Sequence, residues 1–245
     1  MSPAELETMR SVEDHFWWYR ALRQHVLNSI DPPRAAFTLL DVGCGTGGML
    51  SRIHDRFPSA SLTALDFSEQ ALEASRLRNT GAALVQARAD DIPFGDSRFD
   101  VVVSLDVILM KGVDDRKAMR HMHRVLRPGG RVILNVAAFD FLRGSHDVAV
   151  NLARRYTRPQ IARLLQQAGF TIQKLTYWNM TLLPAVAAVR WASRGNAHRA
   201  DVRSDLTPLW SPLNAALTGI AQLELASSRI VPLPWGTSVF AVARK

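Results

Sequence analysis

Two carboxylates and three glycines carry the most legible chemistry of this 245-residue chain. Asp41 precedes Gly43, Gly45 and Gly47, and Asp66 lies 23 residues beyond Gly43. Glycines so spaced let the backbone turn tightly and approach a ligand without Cβ clashes. A helix opening just after them presents unpaired N–H groups. Asp66 closes the apolar run from Leu62 to Leu65, where a carboxylate accepts hydrogen bonds from both hydroxyls of a ribose. The pattern points to a ligand containing adenosine. Read as Gly43, Gly45 and Gly48, the same letters fit the dinucleotide fingerprint. Asp41 weighs against it, because a carboxylate there repels a pyrophosphate and attracts an ammonium group.

Reactive side chains elsewhere are fewer. His146 stands in the stretch 138–147, which leaves the carboxyl end of a strand read at 131–137, the edge where such sheets place ligands. It is the best candidate base, with Asp147 beside it to orient the imidazole or raise its pKa; the plain alternative is a loop histidine capping local backbone. Arg154-Arg155-Tyr156-Thr157 reads as an anion clamp that would include Arg155 and Tyr156, or as a surface basic pair before a helix capped by Thr157. His15-Phe16-Trp17-Trp18-Tyr19 forms an aromatic knot, able to stack on a ligand or to pack into the core. The single cysteine, Cys44, excludes an internal disulfide and a cysteine-based zinc site. No metal is expected.

The elements needed to position these residues follow in alternation. Strands are expected at 37–42, 61–66, 83–87, 99–105, 131–137 and 171–178, and helices at 13–30, 48–57, 68–79, 115–126 and 158–168. Ser68 suits an N-cap, and Pro128-Gly129-Gly130 a turn into the fifth strand. Such alternation implies a parallel sheet covered on both faces. Residues 179–234 break the pattern with helix-like segments at about 182–194 and 212–228, joined through Pro208, Pro212, Pro232 and Pro234, before a last strand-like run from Thr237 to Ala243. The division expected is an N-terminal helical lid at 1–36, a core at 37–178, a cap at 179–234 and a closing strand at 235–245.

Composition narrows the class. Apolar residues make up 47% of the chain, and no run approaches the ~20 uninterrupted apolar residues of a membrane-spanning helix. Glu5, Glu7, Glu13 and Asp14 stand where a signal peptide would be basic, so a cytoplasmic protein is expected. The net charge of +8 is scattered rather than blocked, with one loose cluster at Arg190, Arg194, Arg199 and Arg203. That distribution argues against nucleic acid as the partner.

Taken in order, DVGCGTG, LDFS, DDIPF, FDVVVSLDV and RVLRPGGRVIL resemble the class I S-adenosylmethionine-dependent methyltransferases over about residues 37–178. The resemblance implies an α/β, doubly wound, Rossmann-like sheet of seven mostly parallel strands. Their order would be 3-2-1-4-5-7-6 with strand 7 antiparallel, the helical cap inserted between the last two strands. It implies S-adenosyl-L-methionine as cofactor and S-adenosyl-L-homocysteine as its product. Gly43, Cys44, Gly45 and Gly47 would line the methionine moiety, with Asp41 turned toward its ammonium and Leu105 flanking the chain. Asp66 would bind the ribose, Phe67 would pack beside the adenine, and Ala89 and Asp90 would meet the adenine edge. Arg88, Met110 and His121 depart from residues common in relatives.

The expected function is methyl transfer to a small molecule, a secondary metabolite, lipid or quinone-like acceptor, with oxygen favoured as the accepting atom. Trp17 and Trp18 would contact the acceptor, while Tyr19 and Arg20 would close on the cofactor, Arg20 at its carboxylate or else in a surface salt bridge. Alternatives are an RNA or protein methyltransferase, and a protein that binds the cofactor yet catalyses a cyclisation or rearrangement. A monomer or homodimer is expected.

Overall fold

The computed structural model describes residues 3–32, 35–194, 209–228 and 233–245. Its strands are β1 (Thr38–Val42), β2 (Ser61–Asp66), β3 (Ala83–Gln86), β4 (Phe99–Leu105), β5 (Leu126–Ala137), β6 (Thr171–Trp178) and β7 (Ser238–Arg244). They form one seven-stranded sheet in the order β3-β2-β1-β4-β5-β7-β6. Pairs among β1 to β5 are parallel, and β7 runs antiparallel to both β5 and β6. This is the Rossmann-like order expected from the sequence.

Helices α1 (Pro3–Val12), α2 (Trp17–Ser29), α3 (Gly48–Arg56), α4 (Glu69–Arg76), α5 (Asp115–Val125), α6 (Ser145–Ala149), α7 (Arg158–Gln167), α8 (Leu183–Arg194) and α9 (Ser211–Ser227) flank the sheet or follow it. Side chains alternate across a strand, so the central strands feed two cores. Leu40, Val42, Val102, Val132 and Leu134 pack with residues of α5 and α7, whereas Leu39, Val101, Val103 and Ile133 pack with residues of α2, α3 and α9. Burial on both faces is why these strands read as unbroken apolar runs. Helix α5 buries a stripe of Ala118, Met119, Met122 and Val125. Asp114 caps it by accepting from the Lys117 N–H at 2.9 Å, and Ser68 caps α4 by accepting from the Ala71 N–H at 3.3 Å.

Three segments differ from the sequence reading. The helix expected at 13–30 begins at Trp17, and a separate helix, α1, precedes it. Glu13 and Asp14 interrupt the two because their carboxylates turn to Arg23 and Arg78. The fifth strand starts at Leu126 instead of 131, since Leu126 pairs with Phe99 and the Gly129 N–H reaches the Lys245 carbonyl. The stretch 138–147 is not plain loop: it holds a 3-10 turn at Asp140–Leu142 and the short α6. Arg199, Arg203, Pro208 and Pro232 lie outside the described residues. Among the described residues, no helix is long and apolar enough to cross a membrane.

Candidate functional site

The carboxyl ends of β1, β2 and β4 open into one cavity of about 1020 Å³, walled by the turn after β1, the aromatic start of α2, α6 and the cap helices. Gly43, Gly45 and Gly47 have φ of +79°, +52° and +78°, a region an L residue enters at a cost. A Cβ at Gly43 would overlap Val107, and one at Gly47 would press on Ser75. Both neighbours and conformation therefore demand glycine.

Asp41 lies beneath this turn, 2% exposed, and its Oδ2 has no hydrogen-bond partner. Burial, and then the nearby charge of Asp66, push its pKa up to about 7. A buried carboxyl with an unused oxygen facing a ligand cavity is suited to a cation. Asp66, at the end of β2, is oriented by the Gly45 and Ser68 N–H groups, each donating at 2.9 Å. Cys44 is buried and its thiol is pushed up by that burial, which leaves it no nucleophile. Phe67, Ala89 and Leu105 line the same cavity; Phe67 is 69% exposed, with the Arg88 guanidinium 5.9 Å from its ring centre.

The N-terminal segment is tied to the glycine turn. The buried Glu13 carboxylate accepts from Thr46 Oγ1 and Arg23, and from Arg78 at 2.5 Å. Asp14 receives Arg78 at 2.6 Å and Arg23 at 3.0 Å. Burial alone would raise the Asp14 pKa, but the two guanidiniums outweigh it and hold the group low. Trp17, Trp18 and Tyr19 all face the cavity, with Trp18 stacked on Trp178 at 5.8 Å between ring centres.

Other expected site residues lie elsewhere or are engaged. Arg20 is exposed on α2 and is not part of the cavity wall. Asp90 is gripped by Arg88, at 2.8 Å to each oxygen, and by the Asp114 N–H at 2.9 Å, so it braces a turn outside the cavity lining. Tyr156 is buried below the site and donates to Asp115 at 2.7 Å. His146, Asp147 and Arg155 do line the cavity. The Asp147 carboxylate, however, accepts from Arg155 at 2.7 Å and from the Gly144 N–H at 2.7 Å. It ties α6 to the segment that leads into α7. Arg155 is thereby neutralised, and Arg154 pairs with Asp115 at 2.9 Å, so the two arginines are not an open anion clamp.

One residue escaped the sequence reading. Asp106, directly after β4, has φ of +57° and is one of the residues lining the cavity. Its Oδ2 accepts from Asn135 Nδ2 at 2.8 Å, and Asn135 Oδ1 accepts from Trp178 Nε1 at 2.7 Å. Although the cavity leaves it partly accessible, it sits deep enough for burial to push its pKa up to about 7. The Asn135 hydrogen bond, the Arg155 charge and the Ala137 N–H oppose that rise. The available signal was a lone carboxylate closing an apolar strand, as Asp66 closes β2. Among the described residues, no group of three or more His, Cys, Asp or Glu is arranged to hold a metal ion.

A family profile described as "Methyltransferase domain" matches residues 40–134, the stretch that builds the glycine turn, Asp66 and Asp106. The chain is 31% identical over 206 residues to the ubiquinone biosynthesis O-methyltransferase of Pseudomonas paraeruginosa, covering 68% of this chain and 84% of that relative. It belongs to the class I S-adenosylmethionine-dependent methyltransferases. A second relative of this methyltransferase chain is an O-methyltransferase of Penicillium expansum, 33% identical over 152 residues, or 56% of this chain and 53% of that protein. The chain spans about half the length of the first curated relatives it matches. The methyltransferase fold is shared with geranyl diphosphate C-methyltransferase from Streptomyces coelicolor A3(2), solved with S-adenosyl-L-homocysteine, at a TM-score of 0.63. That structure is 14% identical, with 92% of this chain and 78% of that one covered. The residues present fit the cofactor of the family: an unpartnered buried carboxylate for an ammonium, a glycine cradle for close approach, and a strand-end carboxylate for a ribose.

Proposed function

We propose that this chain methylates a small, largely apolar acceptor from S-adenosyl-L-methionine, at a hydroxyl oxygen. The observation carrying the reading is the unpartnered Asp41 Oδ2 beneath the glycine turn, opening into a cavity much larger than that turn needs. The relative named for O-methylation in ubiquinone biosynthesis supports a quinone-like acceptor.

When bound, the cofactor supplies an electrophilic methyl group on a positively charged sulfur. The chain supplies alignment and dryness. Asp41 holds the ammonium, the glycine turn lets the methionine chain lie close to the backbone, and Asp66 takes the ribose hydroxyls. Phe67 and Ala89 flank the base, and Leu105 the methionine chain. Trp17, Trp18 and Tyr19, with Leu182, Val186 and Leu217 of the cap, wall off the acceptor side from water. In this reading residues 1–36 act as a lid and residues 179–234 as a cap, and His146 contacts the acceptor from α6.

Calorimetry with S-adenosylmethionine, S-adenosylhomocysteine and NADH tests the cofactor assignment. The expected result is micromolar affinity for the first two, about −8 kcal/mol, and none for NADH. S-adenosylhomocysteine release on adding hydroxylated quinols then tests the transfer. Tight NADH binding, or cofactor binding with turnover only on RNA or protein, would overturn the proposal.

A further inference from the structure

We propose that Asp106 accepts the proton that a phenolic acceptor loses as its oxygen is methylated. The inference rests on the methyl-transfer reading and names the group that completes it.

The geometry argues for a fixed, ligand-facing carboxylate. A residue with a side chain at φ +57° is costly, and such conformations persist where surrounding contacts impose them. The imposing contacts are present here. The indole of Trp178 only donates, so its Nε1–H at 2.7 Å fixes which end of the Asn135 amide is the acceptor, and Nδ2 must then face Asp106. Asn135 is completely buried, so this orientation does not exchange with solvent. The Asp106 N–H adds a further tie, donating to the Asn135 carbonyl at 2.8 Å. A backbone and two side chains from β5 and β6 thus fix one carboxylate at the cavity wall, one residue beyond Leu105 and three beyond Val103, the β4 partner of Asp41.

The surroundings suit proton transfer. Besides Asp41 from β1, His146 and Asp147 from α6, Arg155 before α7 and Arg190 from α8, the cavity is lined by Tyr19, Asp66, Arg88, Lys111 and the Glu13–Arg23 pair. Arg155 is already paired with Asp147, which leaves Asp106 poised between charged and neutral forms near neutral pH. That is where a general base works best. In the step, the acceptor O–H bond breaks and its proton passes to an Asp106 carboxylate oxygen. The freed oxygen pair forms the bond to the methyl carbon, and the carbon–sulfur pair withdraws onto sulfur. Asp106 then returns the proton to water.

The test uses the whole chain and dodecyl gallate, a phenol with an apolar tail. In protein carrying carbon-13 aspartate carboxyls, the signal missing from D106N should titrate near pH 7 and shift when dodecyl gallate joins S-adenosylhomocysteine. In turnover, wild-type kcat/KM should rise with pH through the same midpoint. D106N should bind S-adenosylhomocysteine like wild type yet lose about 100-fold or more in kcat with little change in KM, and D106E should restore part of it. H146Q should slow turnover without moving the acidic limb. A D106N rate within about fivefold of wild type, a limb that survives D106N or moves in H146Q, or no transfer to the phenol by cofactor-loaded wild type would overturn the inference. Failure of wild type to bind S-adenosylhomocysteine would instead overturn the cofactor reading beneath it.

Discussion

If Asp41 holds the ammonium as proposed, cofactor binding should release a proton. Without a cation, burial holds this carboxyl at about 7 against 3.8 for an ordinary aspartate. An ammonium placed against Oδ2 must pull the proton off. If binding requires the ionised form, affinity should fall as pH drops through that value. Between about pH 8 and about pH 5.5 the loss is about 30-fold, or ~2 kcal/mol at 1.36 kcal/mol per pH unit. The sign for stability is the reverse of the usual carboxylate case. Because the folded-state pKa is raised, the cofactor-free protein is penalised as pH climbs from about 4 to about 7, and ligand binding relieves that penalty. Calorimetry of S-adenosylhomocysteine in two buffers of different ionisation enthalpy reads the proton directly. Roughly half a proton should leave near pH 7, and 5′-methylthioadenosine, which lacks the amino-acid moiety, should release none. D41N should bind about 10- to 100-fold more weakly at high pH, with the pH dependence from this site gone. Equal proton release for both ligands, or pH dependence undiminished in D41N, would refute the reasoning.

Further outcomes follow from particular contacts. Gly43→Ala forces a Cβ onto Val107 at φ +79°, and should lower stability by about 1–2 kcal/mol in urea denaturation as well as weakening S-adenosylhomocysteine binding. Arg155→Met strips the partner from Asp147, which is 1% exposed; a loss of about 3–5 kcal/mol is expected, and under about 1 kcal/mol by thermal unfolding would show the pair to be dispensable. Trp178→Phe keeps an aromatic ring but orphans the buried Asn135 Oδ1, so about 1–3 kcal/mol should be lost. The Asp106 carboxyl titration should broaden or shift with it, whereas an unaltered titration would show that Trp178 does not set the amide.

The sequence carried the strand order and the glycine turn with its two flanking carboxylates because both depend on local spacing. Asp41, Gly43, Gly45, Gly47 and Asp66 fall within 26 residues, and nothing outside that window decides where the turn goes. The end of the cavity at Asp106 depends on distant residues instead. Asp106 looks like the polar end of a strand until Asn135 and Trp178 are brought to it by the β5-β7-β6 pairing. Arg155 and Asp90 read as open site residues because their partners, Asp147 and Arg88, were visible only as neighbours of uncertain direction. Helix α1 was missed since its apolar residues face the glycine turn and α4, a surface no local pattern announces.

Strand β7 sits between β5 and β6, and among the described residues β6 has no other strand partner in the sheet. Residues 171–178 therefore remain unpaired during synthesis until the whole cap has been made and residues 238–244 have followed it. The wall that holds Trp178, and through it Asn135 and Asp106, is among the last parts of the molecule to take shape. A nascent chain can assemble the glycine turn early, but the Trp178 wall of the cavity has to wait. Slow synthesis or a pause within the cap would leave a five-stranded sheet with its β5 edge open and β6 unpaired beside it, which is the form of this protein most open to mispairing.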